Sequence, residues 1–524
     1  MRRSMAGLMV VAAAALAGGL FGNRVQAVDA RDEAAVQQFS SALATISERY
    51  IDEVPPDVLI EGAIRGMLRT LDPHSNFLNA HAFKDMRIEQ KGAFYGLGIS
   101  IQKRGDELTV VSLIEGAPAQ RLGIQVGDII AEIEGVSTRK LPADSAVTKL
   151  RGPKGTVVHI TIEREGLEEP LHFAVERAEI PLESVATAMI LRPGIGYLRL
   201  TKFSETTSDE IDRALSQLKT EGMEKLIFDL RLNSGGLLDQ AVEVANKFID
   251  QDRVVVSTRG RVRGSNHEYR AEKSTPYRDL PLVVLVNLGS ASASEIVAGA
   301  VQDHDRGLIV GETTWGKGLV QTVYSLEEST GLALTTARYF TPSGRLIQRA
   351  YSDSLDVYLH LDPRVADQSE PAPSGEISHT DLGRSVLGGG GITPDRVVRF
   401  EDFSELIQRL RSQYTFFNYA KRYVAQHPEI AADFKVDDAI VADFIRFVVE
   451  KEIDAKPEAL SADRDTIAWM LEREIMGNRY GREAEYRIQL NHDPQVAAAL
   501  TLFPEAEELL ARSRRVQREV AERQ

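Results

Sequence analysis

The sequence predicts a multidomain α/β protein, in which an α/β core follows a β-rich domain and helical regions occupy both ends. Three patterns lead to this prediction. Apolar strands alternate with amphipathic helices from residue 180 to about residue 349, and short strands separated by glycine turns run from about residue 91 to residue 177. Helical periodicity covers the beginning and the end of the chain. A length of 524 residues is enough for three or four domains.

Composition excludes several classes of protein. The absence of cysteine rules out disulfides, thiol nucleophiles and thiolate metal sites, and it suits an oxidising compartment. A formal net charge of −15 disfavours nucleic acid or an anionic membrane surface as the main partner. The 10 histidines form no H-E-x-x-H motif, which disfavours a zinc peptidase.

The first residues predict export. Arg2 and Arg3 precede an apolar run over residues 5–21, and V-Q-A at residues 25–27 is the small-residue pattern of a cleavage site. We interpret residues 1–27 as a secretory signal peptide. The alternative is an uncleaved anchor in the inner membrane, because the run is nearly long enough to span a bilayer. In both cases the remainder is exported, and the periplasm is the expected compartment.

The next two regions differ in their hydrophobic period. Residues 28–90 form a predicted N-terminal helical region, with helices over 35–51 and 58–71 that Pro55 and Pro56 separate. From residue 91 to residue 178 the pattern predicts strands at 97–101, 108–111, 129–133 and 157–162, with one short helix over 145–150. This change of period predicts a separate β-rich domain.

Residues 179–400 form the predicted α/β core. A strand over residues 226–230 runs into the turn R-L-N-S-G-G, and a helix over 238–248 follows. Gly235 and Gly236 of this turn leave backbone N–H groups able to point at an anion. The alternative is a tight turn with no chemical role.

The stretch 282–322 holds the strongest chemical signal. Residues 283–286 predict a buried parallel strand, after which Ser292 and Glu295 stand in capping-box spacing before an apolar helix. A serine hydroxyl at a helix N-terminus meets unpaired N–H groups and a positive dipole end, which favour the developing negative charge of a nucleophile and its oxyanion. Spacing alone does not choose Ser292 over Ser290 or Ser294, and the serine could be only an N-cap.

Lys317 is the candidate base. It lies between two glycines that permit a sharp turn, and burial could lower its pKa enough for a general base near neutral pH. Gln321, four residues later, would share its face of a strand and hold the amine. The alternatives are a solvated turn lysine and a phosphate-binding loop that begins at Gly311. The loop is disfavoured because Gly318 replaces the Ser or Thr that binds magnesium, and a strand follows instead of a helix.

The segments S-A-S-A-S-E-I-V-A-G-A-V-Q-D and G-E-T-T-W-G-K-G-L-V-Q-T resemble the catalytic signature of the carboxyl-terminal processing proteases, also called tail-specific proteases. T-P-S-G-R at 341–345 and G-I-T-P-D at 391–395 also resemble this family. The resemblance implies a crotonase/ClpP-like α/β protease core and a Ser-Lys dyad without a cofactor. It implies Ser292 as nucleophile, Lys317 as base, Gln321 as its positioning residue, and an oxyanion hole formed by Ala293 with Gly235 or Gly236.

Three positions next to these motifs bear on the resemblance. Ser234 replaces the family's usual proline, which leaves the donating glycine open, and Trp315 stands where phenylalanine is more frequent. His74, in L-D-P-H-S, resembles a family linker and is interpreted as a structural loop residue. Should the lysine not be the base, His304 is the first alternative to examine.

The β-rich segment resembles a PDZ domain, which binds peptide C-termini by adding a strand to its sheet. Gly96-Leu97-Gly98-Ile99 resembles the carboxylate-binding loop, and G-D-I-I at 127–130 resembles the strand that follows later in that domain. Leu97, Ile99 and Val147 would line a pocket for an apolar last side chain. Arg151 matches an arginine that in relatives helps to hold the active site in its competent form, and we expect it to face the protease core.

The remaining segments are less specific. Residues 350–390, rich in Ser, Asp, Pro and Gly, predict a surface insertion, and residues 401–524 predict a C-terminal helical accessory region for partner binding or self-association. The complete pattern indicates an exported serine endopeptidase that cleaves proteins with free, apolar C-termini through an acyl-enzyme. The alternatives are a catalytically silent PDZ scaffold or chaperone and a crotonase-type acyl-CoA enzyme. An adaptor protein, homo-oligomerisation and the physiological substrate are left open.

Overall fold

The computed structural model describes residues 30–326, 329–351, 358, 376–400, 402–451, 453 and 455–522. The predicted signal peptide, and residues 352–357 and 359–375 of the predicted insertion, lie outside these described residues. Within the described part of the chain, none of the helices is long and apolar enough to cross a membrane.

The N-terminal region consists of three helices and one short strand: α1 (Ala30–Arg49), α2 (Pro56–Arg69), β1 (Asn76–Leu78) and α3 (Ala80–Lys91). Proline suits the first position of α2, because the first N–H groups of a helix have no partner within it. Asn79 caps α3 by accepting a hydrogen bond from the N–H of Ala82 at 3.0 Å. Nearly all side chains of α1 are exposed, whereas β1 pairs antiparallel with a long strand of the core and so fixes the region to it.

The β-rich domain contains one sheet with strand order β3-β4-β5-β7-β8, in which β6 also pairs with β5. A second pair, β2 with β9, joins its two ends. Alternate residues such as Val110, Ile130 and Val158 are buried between the sheet and its helices, as expected for strands with one covered face. The elements are β2 (Ala93–Gly96), β3 (Ile99–Arg104), β4 (Glu107–Leu113), α4 (Pro118–Arg121), β5 (Ile129–Ile133), β6 (Val136–Ser137), α5 (Ala143–Leu150), β7 (Val157–Glu163), β8 (Leu171–Glu176) and β9 (Ala178–Pro181).

The α/β core is built on a six-stranded sheet with order β10-β11-β12-β15-β16-β21. Its elements are β10 (Val185–Arg192), β11 (Ile195–Leu200), α6 (Thr207–Thr220), β12 (Lys225–Asp229), α7 (Leu238–Ala245), β15 (Leu282–Val286), α8 (Ala293–Asp303), β16 (Leu308–Gly311) and β21 (Arg396–Val397). β11, β12, β15, β16 and β21 are parallel, and β10 pairs antiparallel at the edge. Every residue of β15 is buried, as its continuous apolar run predicts for a strand covered on both faces.

A second sheet stands beside the first and carries part of the candidate site. Its strand order is β1-β18-β13-β14, and β17 pairs with β18. The strands from the core are β13 (Val254–Gly260), β14 (His267–Arg270), β17 (Leu319–Ser325) and β18 (Gly331–Phe340). β17 begins two residues after Lys317 and contains Gln321, so this sheet positions the side chain of Gln321.

The C-terminal region is helical, as predicted, and its helices pack in two different places. α9 to α14 contribute to an apolar core of their own, which includes the buried Phe416, Phe444 and Met470. The helices are α9 (Glu405–Ser412), α10 (Thr415–Gln426), α11 (Asp438–Glu450), α12 (Pro457–Ala462), α13 (Arg464–Tyr480), α14 (Arg482–Asn491) and α15 (Pro494–Ala521).

The last helix, α15, belongs to the α/β core. Its residues Val496, Phe503 and Leu509 pack against Ile227 and Leu285 on one face of the central sheet. We expected residues 401–524 to be an accessory region. That description does not fit α15, because apolar parallel strands need cover on both faces and this helix provides one of the two covers.

The described part of the predicted surface insertion is also packed against the core. The hairpin of β19 (Ile377–His379) and β20 (Ser385–Leu387) is anchored by Arg384, whose side chain donates to Asp305 at 2.5 Å and to Asp395 at 2.7 Å. Tyr358 is only 2% exposed. The hairpin is therefore anchored to the core, although the side chains of its strands are mostly exposed, as predicted for a surface insertion.

Candidate active site

Ser292 occupies the N-cap of α8 at the end of the turn that follows β15. Its φ of 54° lies in the left-handed region, which a non-glycine residue adopts only where its surroundings impose it. Its N–H donates to the side chain of Glu295 at 2.8 Å. The N–H of Ala293 donates to no group in the described part of the chain, as expected for the first residue of a helix.

The three serines that spacing could not separate have different environments. The Ser290 hydroxyl donates to the carbonyl of Leu230 at 2.9 Å, and the Ser294 hydroxyl donates to the carbonyl of Asn233 at 2.8 Å. Both of these serines are completely buried. Ser292 is half-buried, and its hydroxyl donates to no group of the described residues. Ser292 is thus the one of the three whose hydroxyl is available for chemistry.

Lys317 points inward, as the glycines around it suggested. Its Nζ donates to Oε1 of Gln321 at 2.8 Å, and the amide of Gln321 donates in turn to the carbonyl of His74 at 2.6 Å. Burial lowers the pKa of Lys317, while the negative charges of Glu295 and Asp72 oppose this shift. A lysine in this environment loses its proton more readily than a solvated one.

Glu295 is a functional candidate that the sequence identified only as a capping residue. Its carboxylate is completely buried and accepts hydrogen bonds from the N–H groups of Ser292 at 2.8 Å and Lys317 at 2.9 Å. It also accepts from the N–H of Gly316 at 2.7 Å and the hydroxyl of Thr314 at 2.5 Å. Burial raises the pKa of this carboxyl group, and the four hydrogen bonds oppose the rise. One side chain therefore fixes the backbone of both the nucleophile and the base.

The glycine turn lies against Ser292. The N–H of Gly235 donates to Oδ1 of Asn233 at 2.9 Å, whereas the N–H of Gly236 has no acceptor within the described ranges. A Cβ at Gly235 would lie 2.8 Å from Cβ of Ser292 and 3.0 Å from the nitrogen of Ala293, so only glycine fits. This geometry favours Gly236 over Gly235 as the donor that joins Ala293.

A buried ion pair anchors the beginning of the same turn. Arg231 donates to the completely buried Asp229, to Asp493 at 2.8 Å and to Gln495 at 2.9 Å. Burial acts to lower the pKa of Arg231, but the two carboxylates together outweigh it and raise this pKa above its ordinary value. Since Asp493 and Gln495 belong to the start of α15, the last helix also stabilises the candidate oxyanion loop. A separation of 262 residues between Arg231 and Asp493 leaves no local signal of this contact in the sequence.

The two histidines considered above have structural surroundings. The ring of His74 lies 2.8 Å from the hydroxyl of Tyr358, and burial, followed by the charge of Lys317, lowers its pKa to about 4. Its backbone carbonyl, not its ring, takes part in the site by holding Gln321. His304 follows α8 at the end opposite Ser292, where Asp381 and the carbonyl of Val254 hold its ring at 2.9 Å and 2.8 Å. A helix of this length separates the two ends by roughly 15 Å, which removes His304 as a base.

The candidate peptide site lies at the edge strand of the β-rich domain. Leu97 is buried, the side chain of Ile99 packs against the same apolar core, and Val147 is half-buried on α5. The N–H groups of Leu97 and Gly98 donate to no acceptor in the described part of the chain. β3 pairs with β4 on one side only, and α5 lies beside its open edge.

We expected Arg151 to face the α/β core, but its side chain contacts two other parts of the chain. It follows α5, its guanidinium lies 4.5 Å from the ring centroid of Phe94, and Nη1 is 3.9 Å from Asp85 on α3. It therefore joins the β-rich domain to the N-terminal helical region. Its role in activation stays a prediction.

Among the described residues, no group of three or more histidine, aspartate or glutamate side chains is arranged to hold a metal ion. The candidate site consists of the Ser292 hydroxyl, which donates to no group of the described residues, the inward amine of Lys317 held by Gln321, and the N–H groups of Ala293 and Gly236, which have no acceptor among the same residues. These are the groups that acyl transfer through a serine requires.

Four family models match this chain. They are described as peptidase family S41 (residues 194–353), PDZ domain (85–163), activating protease CtpB N-terminal domain (21–82) and probable PDZ-protease, C-terminal helical domain (406–462). The carboxy-terminal-processing protease of Bartonella bacilliformis is 41% identical over 315 residues, which cover 59% of this chain and 72% of that protein. The carboxyl-terminal-processing protease of Synechocystis is 39% identical over 286 residues, covering 53% of this chain and 66% of that protein.

Among solved structures, the photosystem II D1 C-terminal processing protease is 30% identical in sequence. The match covers 59% of this chain and 89% of that chain, with a TM-score of 0.34.

Proposed function

Since the chain belongs to the carboxyl-terminal processing proteases, the S41 family of serine-type peptidases, we propose that it is an exported endopeptidase that recognises free protein C-termini and cleaves near them with a Ser292–Lys317 dyad. Membership confirms the predicted enzyme class and the predicted fold class, a protease core combined with a PDZ domain and helical regions. The dyad, the recognition of C-termini and the export are the proposed parts.

The environment of Lys317 is the observation that carries the dyad. A buried amine with a lowered pKa, held by Gln321 at 2.8 Å, can accept a proton, whereas the rings of His74 and His304 have other partners. In the first step neutral Lys317 takes the proton of the Ser292 hydroxyl while Oγ attacks the scissile carbonyl. The carbonyl oxygen becomes an oxyanion that the N–H groups of Ala293 and Gly236 stabilise.

The second half of the reaction returns the proton. The tetrahedral intermediate expels the amine of the peptide bond, which takes the proton from the Lys317 ammonium, and an acyl-enzyme on Ser292 remains. Lys317, neutral again, then removes a proton from a water molecule that attacks the ester. The second tetrahedral intermediate then collapses and releases the new C-terminus, and the Lys317 ammonium returns the proton to Oγ of Ser292. No cofactor enters the proposal.

Recognition of C-termini is supported by the open edge of β3 and the loop before it. The N–H groups of Leu97 and Gly98, to which the described residues offer no acceptor, could donate to a terminal carboxylate, while the strand edge pairs with the last residues of the substrate. Leu97, Ile99 and Val147 favour an apolar last side chain. The partners would be exported proteins with accessible C-termini.

Export depends on residues 1–27, which lie outside the described residues. Their charged start, apolar run and small-residue pattern support a signal peptide, and the absence of cysteine is compatible with an oxidising periplasm. Cell fractionation, with N-terminal sequencing of the mature protein, tests both export and cleavage at residue 27. Material that stays in the cytoplasm would contradict the proposal.

Labelling with a fluorophosphonate tests the function most directly. The unaltered chain should be labelled at Ser292, and the Ser292→Ala variant should be neither labelled nor active. Comparison of periplasmic protein C-termini with and without Ser292→Ala would then reveal the substrates. A chain that is not labelled but still binds C-terminal peptides would be a silent scaffold.

A further inference from the structure

The open strand of the PDZ domain, β3, ends against the C-terminal helical region. The guanidinium carbon of Arg104, the last residue of β3, lies 5.1 Å from the ring centroid of Tyr414 and 4.4 Å from that of Phe417. Gln102, two residues earlier, donates to the hydroxyl of Tyr414 at 2.5 Å. The end of the strand edge therefore carries a cation held against two aromatic rings from another domain.

Arg104 has no acidic counter-ion in the described part of the chain. Its Nε donates to the side chain of Gln102 at 3.3 Å, and Glu107, its neighbour across the β3–β4 turn, forms no ion pair with it. Burial of the side chain lowers the pKa of Arg104, which indicates that its charge is partly withdrawn from water. An arriving carboxylate would stabilise such a cation.

Neighbouring Lys103 cannot serve in its place. Its Nζ donates to the carbonyls of Thr138, Arg139 and Leu141 at 3.0, 2.7 and 2.7 Å. These contacts hold the lysine on the loop before α5. Of the two cations at this end of β3, Arg104 is therefore the one whose terminal guanidinium N–H groups are available to a ligand.

The register of an added strand places a particular substrate residue at Arg104. A substrate whose carboxylate meets the loop at Leu97 and Gly98 begins its pairing opposite Ile99 and runs antiparallel to β3. Each earlier substrate residue then lies opposite the next residue of β3, so the residue opposite Arg104 is five positions before the last. Residues directly opposite each other in an antiparallel pair project to the same face, which is the face that carries Tyr414 and Phe417.

We propose that Arg104, Tyr414 and Phe417 form a subsite for an acidic side chain about five residues before the C-terminus of the substrate. This inference rests on the proposed recognition of C-termini. The guanidinium would pair with the carboxylate, and the two rings would hold it in place and contact the aliphatic part of the acidic side chain. The C-terminal helical region thus contributes to substrate choice as well as to the fold.

Peptide binding to the full-length Ser292→Ala chain tests the subsite without cleavage. Two fluorescent peptides share every residue except the one five positions before the last, which is glutamate in one and glutamine in the other. The glutamate peptide should bind about 3- to 10-fold more tightly at low salt, and the difference should shrink as salt is added. Adding Arg104→Gln should remove the difference. Lys154→Gln, which removes a cation that is 65% exposed elsewhere in the domain, should preserve it.

A third peptide with lysine at the same position needs no variant of Arg104 and should bind more weakly than the glutamine peptide. Equal binding of all three peptides overturns the subsite, as does an unchanged preference for glutamate in Arg104→Gln.

A matched peptide with an amidated C-terminus separates this inference from the proposed function. If amidation weakens binding while the three side chains bind alike, only the acidic subsite fails. If amidation has no effect, recognition of C-termini fails as well.

Discussion

The side-chain oxygen of Gln321 accepts a hydrogen bond from Nζ of Lys317 at 2.8 Å. The orientation of the Gln321 amide is fixed by both contacts, because its nitrogen donates to the carbonyl of His74 at 2.6 Å. The amine is thus held by an acceptor that carries no charge and does not favour its protonated form as a carboxylate would. This arrangement suits a lysine that has to be neutral before it can act as a base.

Replacing Lys317 with alanine should abolish turnover and leave the protein folded. Loss of a general base costs about 10²- to 10⁴-fold or more in rate. Lys317→Arg should be equally inactive, because arginine keeps its proton at all relevant pH values. Peptide cleavage assays measure the rates, and thermal unfolding confirms the fold. Near-normal turnover in Lys317→Ala would assign the base to another residue.

The pH dependence of the unaltered protein gives a second test of the base. Burial lowers the pKa of Lys317 from its ordinary 10.5, so kcat/KM should rise with pH as the amine loses its proton and should level off above the folded-state pKa. That midpoint should lie below 10.5. A rate that falls with pH over the same range would contradict a lysine base.

Gln321→Met should separate positioning from proton transfer. Methionine has a similar length but neither accepts from Nζ of Lys317 nor donates to His74. We expect kcat to fall about 10-fold or more with little change in KM, because a misplaced base affects the chemical step more than binding. The Gln348→Met variant is a suitable control, since Gln348 also lies near the site but bonds to Gly318 and Tyr358 instead. A larger effect of Gln348→Met would contradict the role of Gln321.

Glu295→Gln should disturb the nucleophile and the base together. Glutamine keeps one oxygen and has an NH₂ group in place of the other, and each carboxylate oxygen of Glu295 accepts from two donors. Each buried donor left unpaired costs about 1 to 3 kcal/mol, so the free energy of unfolding should fall by at least that amount. Denaturant unfolding measures this loss.

The same substitution has a separate effect on pH dependence. The negative charge of Glu295 raises the pKa of Lys317 against the effect of burial. Removing it should move the rising limb of the pH profile of the residual activity to lower pH. A shift to higher pH would mean that the carboxylate does not act on the lysine in this way.

Local sequence patterns predicted the elements of the site better than the contacts between them. The apolar run of β15, the helix start at Ser292 and the inward turn at Lys317 are local features, and all three are found. The choice of Ser292 over Ser290 and Ser294 depends on the carbonyls of Leu230 and Asn233, which lie about 60 residues earlier in the chain. No local pattern reports such contacts.

The same limit explains the missed roles of Glu295 and α15. Capping-box spacing identified the bond from Glu295 to Ser292 but not those to residues 314–317, which a second turn brings back to the carboxylate. Amphipathic periodicity predicted the helix α15, but hydrophobic periodicity does not indicate which surface the apolar face of a helix covers. That surface, the face of the central sheet, is composed of strands 180 or more residues away.

Phe503→Ala tests whether α15 belongs to the core. Phe503 is 2% exposed against the central sheet, and truncating a buried phenylalanine costs about 3 to 5 kcal/mol. Val516→Ala, on the same helix but 38% exposed, should cost less than about 0.5 kcal/mol. Chemical denaturation of the two variants provides the comparison. A loss of unfolding free energy in Phe503→Ala as small as that in Val516→Ala would mean that α15 is dispensable for the core.

The final prediction concerns the chain end that the PDZ domain is proposed to bind. The N–H groups of Leu97 and Gly98, which have no acceptor among the described residues, precede a strand whose open edge could pair with a peptide. Amidation of the peptide removes its terminal negative charge and one acceptor. Hydrogen bonds to a charged group are worth roughly 1.5 to 3 kcal/mol, so binding should weaken by about 10- to 100-fold.

Isothermal titration of the full-length Ser292→Ala chain with matched acid and amide peptides measures this difference without cleavage. An apolar last residue should bind more tightly than a charged one, because Leu97, Ile99 and Val147 offer no polar side chain to it. The Arg151→Ala variant should bind both peptides as the parent does, since Arg151 contacts Phe94 and Asp85 and not the loop donors. If acid and amide peptides bind alike, the domain reads internal sequence. The protease would then not be tail-specific, even if Ser292 and Lys317 prove catalytic.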